Sequence, residues 1–222
     1  LQETRLRTLT LLEDYVVALG ADCKVPQGAE LNPPLWELCH VAWFQDWWLS
    51  RNPQWMLGTQ CLPTVQRLPS RLPDSDWRLD SSLIAHERRW DVGLPDLQGT
   101  RSYLQSSLSD NLALLENLDP ERATDSELYF FRLSLFHEQM HNEAAVFMAK
   151  MLNIPLRPEV SGAWQLNTSG AQATGHALGQ GRVLGVGEAG AQRVGAGDDD
   201  AVLDAEFEEG VAAGAHLGEE VL

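Results

Sequence analysis

The succession of apolar and polar positions divides the first 158 residues into four helical runs and one long irregular stretch. From Thr4 to Leu19, apolar residues fall at Leu6, Leu9, Leu12, Val16 and Leu19, and the run stops at Gly20. Asn32-Pro33-Pro34 opens a second run, with Asn32 as the expected cap and proline tolerated in the first turn. Trp36, Leu38, His40, Val41, Phe44, Trp47 and Trp48 carry it to about Arg51. Residues 52–96 are rich in proline and hold no period, and an excursion of that length is often functional. A third helix is predicted from about Gly99 to Leu118, broken by Asp119-Pro120. A fourth is predicted from about Thr124 to Asn153, stopping before Pro155. Four helices with one long crossover predict a mainly α protein built as a four-helix bundle.

After Glu159 the character changes. Residues 161–222 hold thirteen of the eighteen glycines and neither lysine nor proline, so the domain boundary is placed at 158/159. The segment 159–222 reads as a Gly-rich acidic tail, partly irregular, with one short strand expected at Ala163-Trp164-Gln165-Leu166.

Composition narrows the function classes. A formal charge of -16 argues against a nucleic-acid partner, because the basic footprint is missing. No apolar run approaches the eighteen residues of a membrane span, and no signal-like segment opens the chain, so a cytoplasmic protein is expected. Cys23, Cys39 and Cys61 form no CxxC pair and are odd in number, which fits neither a disulfide framework nor a zinc ribbon. Seven of the eight tryptophans precede position 100, which assigns the aromatic interior to the N-terminal part. Oligomerisation is compatible with all of this.

The candidate chemistry lies in the fourth helix. His137 and His141 stand at i and i+4, so both imidazoles face one way, as in helices that offer two nitrogens to one metal. A single histidine on an apolar helix is more often a satisfied core residue, but an inward pair followed by Ala144 and Ala145 favours a metal. Among the other histidines, His176 and His216 lie in the tail and His86 in the excursion. His40 lies on the second helix among Val41, Ala42, Trp43 and Phe44, where it can meet the pair across a bundle. Glu138 is turned about 100° from His137 and Glu143 about 120° the other way, so both are expected to be structural or solvated rather than metal ligands.

His137-Glu138-x-x-His141 also matches the zinc-protease signature. The downstream ligand it needs is missing, since Phe147 stands where a histidine would be required and Glu159 is flanked by Pro155 and Pro158. Three neutral histidines without a carboxylate suit Fe(II) binding oxygen and substrate, or zinc activating water or thiol.

Pro33-Pro34-Leu35-Trp36-Glu37-Leu38-Cys39-His40-Val41-Ala42-Trp43-Phe44, followed by His137-Glu138-Gln139-Met140-His141-Asn142-Glu143, resembles the N-terminal DinB-like domain of the ergothioneine-type sulfoxide synthases. The Trp-rich form is most similar to the selenoneine synthase branch. Ser81-Ser82-Leu83-Ile84-Ala85-His86-Glu87-Arg88-Arg89-Trp90, followed by Leu94-Pro95, resembles the substrate-side segment of that family. The similarity spans roughly residues 5–158. It implies Fe(II) on His40, His137 and His141, with O2 and a thiol or selenium donor at the open positions. The reaction implied joins that chalcogen to the imidazole carbon of hercynine.

The resemblance also gives the substrate-side residues as Arg89, Arg88 and His86, with His86 standing where another arginine is expected, which points to a different donor. Ser161-Gly162-Ala163-Trp164-Gln165-Leu166 resembles the opening strand of the family's formylglycine-generating-enzyme-like second domain, and there the similarity ends. That domain supplies much of the substrate pocket and an acid/base tyrosine, whereas no tyrosine follows Tyr129. The tail is therefore expected to be a truncated or divergent form of it, with the metal site kept and the full activity incomplete. The rival readings are a stand-alone DinB-like metalloprotein using zinc or nickel, of thiol-transferase type, and a non-catalytic metal-binding bundle.

Overall fold

A computed structural model describes residues 1–161, which are mainly helical and contain no strand. Each predicted run is a helix: α1 (Gln2–Leu19), α2 (Pro34–Gln45), α3 (Leu97–Glu116) and α4 (Asp125–Met151). The expectations for the tail, its short strand included, concern residues outside those described.

Local chemistry explains most of the boundaries. Thr124 and Glu127 form a reciprocal capping box that starts α4, and the Asp96 carboxylate accepts from Gly99 N at 2.7 Å to start α3. At the start of α2 the expectation is corrected. Pro33 is the cap residue, and the Asn32 side chain instead accepts a hydrogen bond from Arg89 Nη1 at 3.0 Å. Proline already supplies the helix entry by fixing φ, which leaves the Asn32 side chain available elsewhere. Beyond Gln45, α2 continues as a π-helical turn over Asp46–Ser50.

The excursion carries short helical turns at Trp55–Gln60, Ser75–Arg78 and His86–Trp90. The first lies against the start of α4. Gly58, at φ 55° and ψ -127°, comes so close that a Cβ there would sit 2.8 Å from Ser126 O. One apolar cluster joins α2 to α3 and the excursion through Trp36, Cys39, Trp43, Phe44, Leu79, Tyr103 and Leu104. A second joins α1 to α4 through Leu12, Tyr15 and Ala149. The architecture is consistent with the expected helical bundle. The three cysteines are buried free thiols, and no helix among the described residues is long and apolar enough to cross a membrane.

In α1 the expected period holds at Leu12, which is buried, and at Leu9, Val16 and Leu19, which pack partly buried against the core, but Leu6 is 66% exposed and the most buried positions at the start of the helix are Thr4, Arg5 and Thr8. The cause is a buried ion pair. Arg5 Nε and Nη2 donate to the two carboxylate oxygens of Glu138 at 2.6 and 3.1 Å, with both residues almost wholly buried. Thr8 Oγ1 donates to Glu138 Oε1 at 2.6 Å, and Gln45 Nε2 donates to Glu138 Oε2 at 2.7 Å. Arg5 also donates to Gln45 Oε1 at 2.8 Å and to the Leu104 carbonyl. Ser107 Oγ completes the knot by donating to Gln45 Oε1 at 3.1 Å. One polar centre thus ties α1, α2, α3 and α4 together.

Removing one partner leaves a buried charge without its counter-ion, a change that costs about 3–5 kcal/mol. Arg5→Ala and Glu138→Ala are each expected to destabilise by that amount in denaturant unfolding. The double variant should lose much less than the sum, because each single strands the other partner's charge and the double strands neither. Additive losses would show that the two side chains act independently.

Candidate metal centre

The site follows from two helix faces. On α4, His137 and His141 stand one turn apart; on α2, Trp36, His40 and Trp43 share a face at i, i+4 and i+7. All three histidines are buried, with 1%, 1% and 6% of their surface exposed for His40, His137 and His141. The Nε2 atoms of His40 and His141 lie 3.1 and 3.2 Å from His137 Nε2. Two nitrogens bound to one ion at about 2.0–2.1 Å, at angles between octahedral and tetrahedral, are about 2.9–3.4 Å apart. The spacing therefore suits a shared ion, and the three residues can hold one metal.

The protonation pattern agrees. Leu79 O accepts from His40 Nδ1 at 2.6 Å, so the proton of the neutral ring is on Nδ1 and the Nε2 lone pair faces the site. The Glu37 carboxylate accepts from His141 Nδ1, which turns that Nε2 lone pair to the same point. A single proton on His137 Nε2 serves one such lone pair well, whereas a cation at their convergence serves all three. Burial, followed by repulsion from His141, pushes the His40 imidazole down to about 3. Burial pushes His137 well below its ordinary range, and the two neighbouring imidazoles add to the effect. Burial alone would raise Glu37, but attraction and hydrogen bonding from His141, together with His40 and Arg89, outweigh it and hold the carboxyl well below its usual range. Neutral His40 and His137 offer free nitrogen lone pairs to a divalent cation, whose binding would displace any further proton from His141.

Packing fixes the rings. Phe44 stacks on His137 with centroids 3.7 Å apart and planes within 7°. His40 lies between Trp36, at 5.1 Å and 7°, and Trp43, at 5.7 Å and 27°. The Arg89 guanidinium lies 4.3 Å from the centre of the Trp36 ring, on the layer behind His40.

His40 thus meets the histidine pair as the sequence predicts. Glu138 makes its bonds in the knot with Arg5, Thr8 and Gln45 and is buried rather than solvated, while Glu143 is exposed. The three expected substrate-side residues share the short turn His86–Trp90 but have different surroundings. Arg89 is buried beside Trp36, Arg88 is exposed on a surface cleft with Trp77 and Leu83, and His86 Nε2 lies 3.0 Å from Leu31 O. Glu37 is the functional residue that the sequence reading missed. The available hint was a lone acid three residues before a histidine within Leu35-Trp36-Glu37-Leu38. Among the described residues, the cavity touching Glu37 and His141 is narrow, about 30 Å³, room for about one water.

Removing the carboxylate that orients a ligating histidine typically weakens metal binding 10–100-fold. Glu37→Gln is therefore expected to lower affinity by about that factor in chelator competition, with the fold kept. His40→Ala should remove tight binding from protein purified without a nickel column, and unchanged metal content would rule out the three-histidine site. No known family model matches the chain, and no curated protein matches it, so the functional reading rests on this geometry and on the sequence motifs.

Proposed function

We propose that the chain is a non-haem iron(II) protein of the sulfoxide/selenoneine synthase type, acting in O2-dependent C–S or C–Se bond formation on hercynine through a DinB-like domain. The observation that carries the reading is the convergence of three buried imidazole nitrogens with no carboxylate among them. That donor set of three leaves coordination positions for further ligands. The resemblance of the His40 and His137–Asn142 segments to that family supplies the reaction class. Iron, when bound, would supply oxygen activation and a place for the chalcogen donor.

The contribution of the chain's own residues follows from the geometry. His40, His137 and His141 would hold the ion. Glu37 keeps the His141 proton on Nδ1, and the Leu79 carbonyl does the same for His40. The aromatic layers of Trp36, Trp43 and Phe44 exclude water from the far side of the rings. Residues 1–161 accordingly assign the metal ligands and their supports, and no acid/base group.

The full chain, reconstituted anaerobically with Fe(II), should take up O2 only when hercynine and a thiol or selenol donor are both present. Mass spectrometry should find a product joining the two, and His137→Ala should abolish it. Iron binding without hercynine-dependent O2 uptake would overturn the synthase reading in favour of a zinc or nickel metalloprotein.

A further inference from the structure

His40 owes its placement to a piece of chain outside the four helices. The short helix Ser75–Arg78, with Leu79 after it, lies along the α2 face formed by Trp36, His40 and Trp43. All three aromatic rings of that face donate to this strap. Trp36 Nε1 donates to Arg78 O at 2.8 Å, His40 Nδ1 to Leu79 O at 2.6 Å, and Trp43 Nε1 to Asp76 Oδ1 at 2.9 Å. Two consecutive backbone carbonyls and one carboxylate thus meet three ring N–H groups at the periodicity of one helix face.

The strap is fastened at both ends by side chains that touch no histidine. At one end Asp76 is gripped by Arg51, whose Nη1 and Nη2 donate to the two carboxylate oxygens at 2.7 Å each. Arg51 is itself buried and donates from Nε to Leu68 O at 2.7 Å, which anchors the pair to the excursion. At the other end the Arg78 guanidinium donates to Gly93 O at 2.6 Å and to Pro73 O, clipping together the chain before and after the strap. Surface clefts of about 370 and 450 Å³ flank Arg78, so solvent rather than core packing surrounds this clip. Leu79, by contrast, is buried in the aromatic cluster, and its carbonyl is carried to His40 by the strap's own course.

We propose that the strap 75–79 sets His40 as a metal ligand, and that Asp76 and Arg78 are positioning residues acting on it through the Leu79 carbonyl. Hydrogen bonds to the far nitrogen of a ligating histidine fix its tautomer and ring direction. A carbonyl held from both sides does this more sharply than a solvated one, because the strap cannot slide along α2 without breaking all three ring bonds. The polar half of His40's orientation therefore resides in the excursion, while Trp36 and Trp43 supply the stacking half.

The inference rests on the histidines binding a metal, and one experiment separates the two. Metal-free full-length protein is titrated with Co(II), whose visible bands report the coordination sphere, and its thermal unfolding is recorded alongside. Asp76→Ala and Arg78→Ala are expected to bind Co(II) about 10–100-fold more weakly, with altered bands in the bound form. Arg78→Lys, with a single point charge in place of the fork, should fall between them and wild type. Leu83→Ala, at a residue 68% exposed in the same excursion, should match wild type.

A merely structural role would lower the unfolding temperature and leave the bands of the bound form unchanged; that result, or wild-type affinity in Asp76→Ala and Arg78→Ala, overturns the inference alone. If Arg78→Ala does not fold, Arg78→Lys and Asp76→Ala decide by the same bands. Absence of Co(II) bands in wild-type protein overturns the metal reading and takes this inference with it.

Discussion

A carboxylate inside a helical core has to be met by a cation and by enough donors to replace water, and Glu138 imposes that requirement on the whole bundle. Arg5, Thr8 and Gln45 meet it from α1 and α2, and Ser107 and the Leu104 carbonyl extend the network into α3. The consequence is rotational. With Glu138 directed at α1, the residues about 100° around α4 are directed elsewhere, and His137 and His141 meet His40 on α2. The same requirement turns α1 so that Thr4, Arg5 and Thr8 face inward and Leu6 faces solvent. Helix phase here is set by a polar contact, and apolar packing follows.

That constraint also marks what the sequence makes legible. The helices can be read because their starts and stops are local, as in the Thr124–Glu127 box and the break at Asp119-Pro120. The candidate metal ligands can be read because i, i+4 spacing is local and a histidine among tryptophans and alanines is conspicuous. The pairings that fail to appear join distant positions: Arg5 to Glu138 across 133 residues, His141 to Glu37 across 104, and Asn32 to Arg89 across 57. An arginine or glutamate with its partner that far away has the local pattern of an ordinary surface charge. Asn32 was misread for the same reason, since the cap pattern is local and its actual partner is not.

The electrostatics of the centre follow from neutral ligands. Three imidazoles bring no charge, so a divalent ion would keep its own, moderated by Glu37 behind His141 and by the Arg89 guanidinium on the Trp36 layer behind His40. These two groups act with opposite sign, and both are felt at His40. Glu37 strengthens the donor character of His141, whereas the Arg89 charge disfavours a further positive charge on His40. No carboxylate is among the three converging donors, which is what distinguishes the set from sites built of two histidines and an acid.

An ion held by these histidines would also have a mechanical role. Its ligands come from α2 and α4, the helices already joined through Gln45 and Glu138, and the Leu79 carbonyl brings the excursion to the same point. Any ligand that binds only the folded state adds stability by mass action, about 2.7 kcal/mol at a free concentration one hundred times its dissociation constant. That is of the same order as the loss expected from breaking the Arg5–Glu138 pair. The two fastenings nevertheless differ in kind. The ion pair is intrinsic and holds α4 in phase before any metal arrives, so the cost of bringing three histidines together is met by folding. Metal affinity then depends on how little the rings must move, which Phe44, Trp36, Trp43 and the strap keep small.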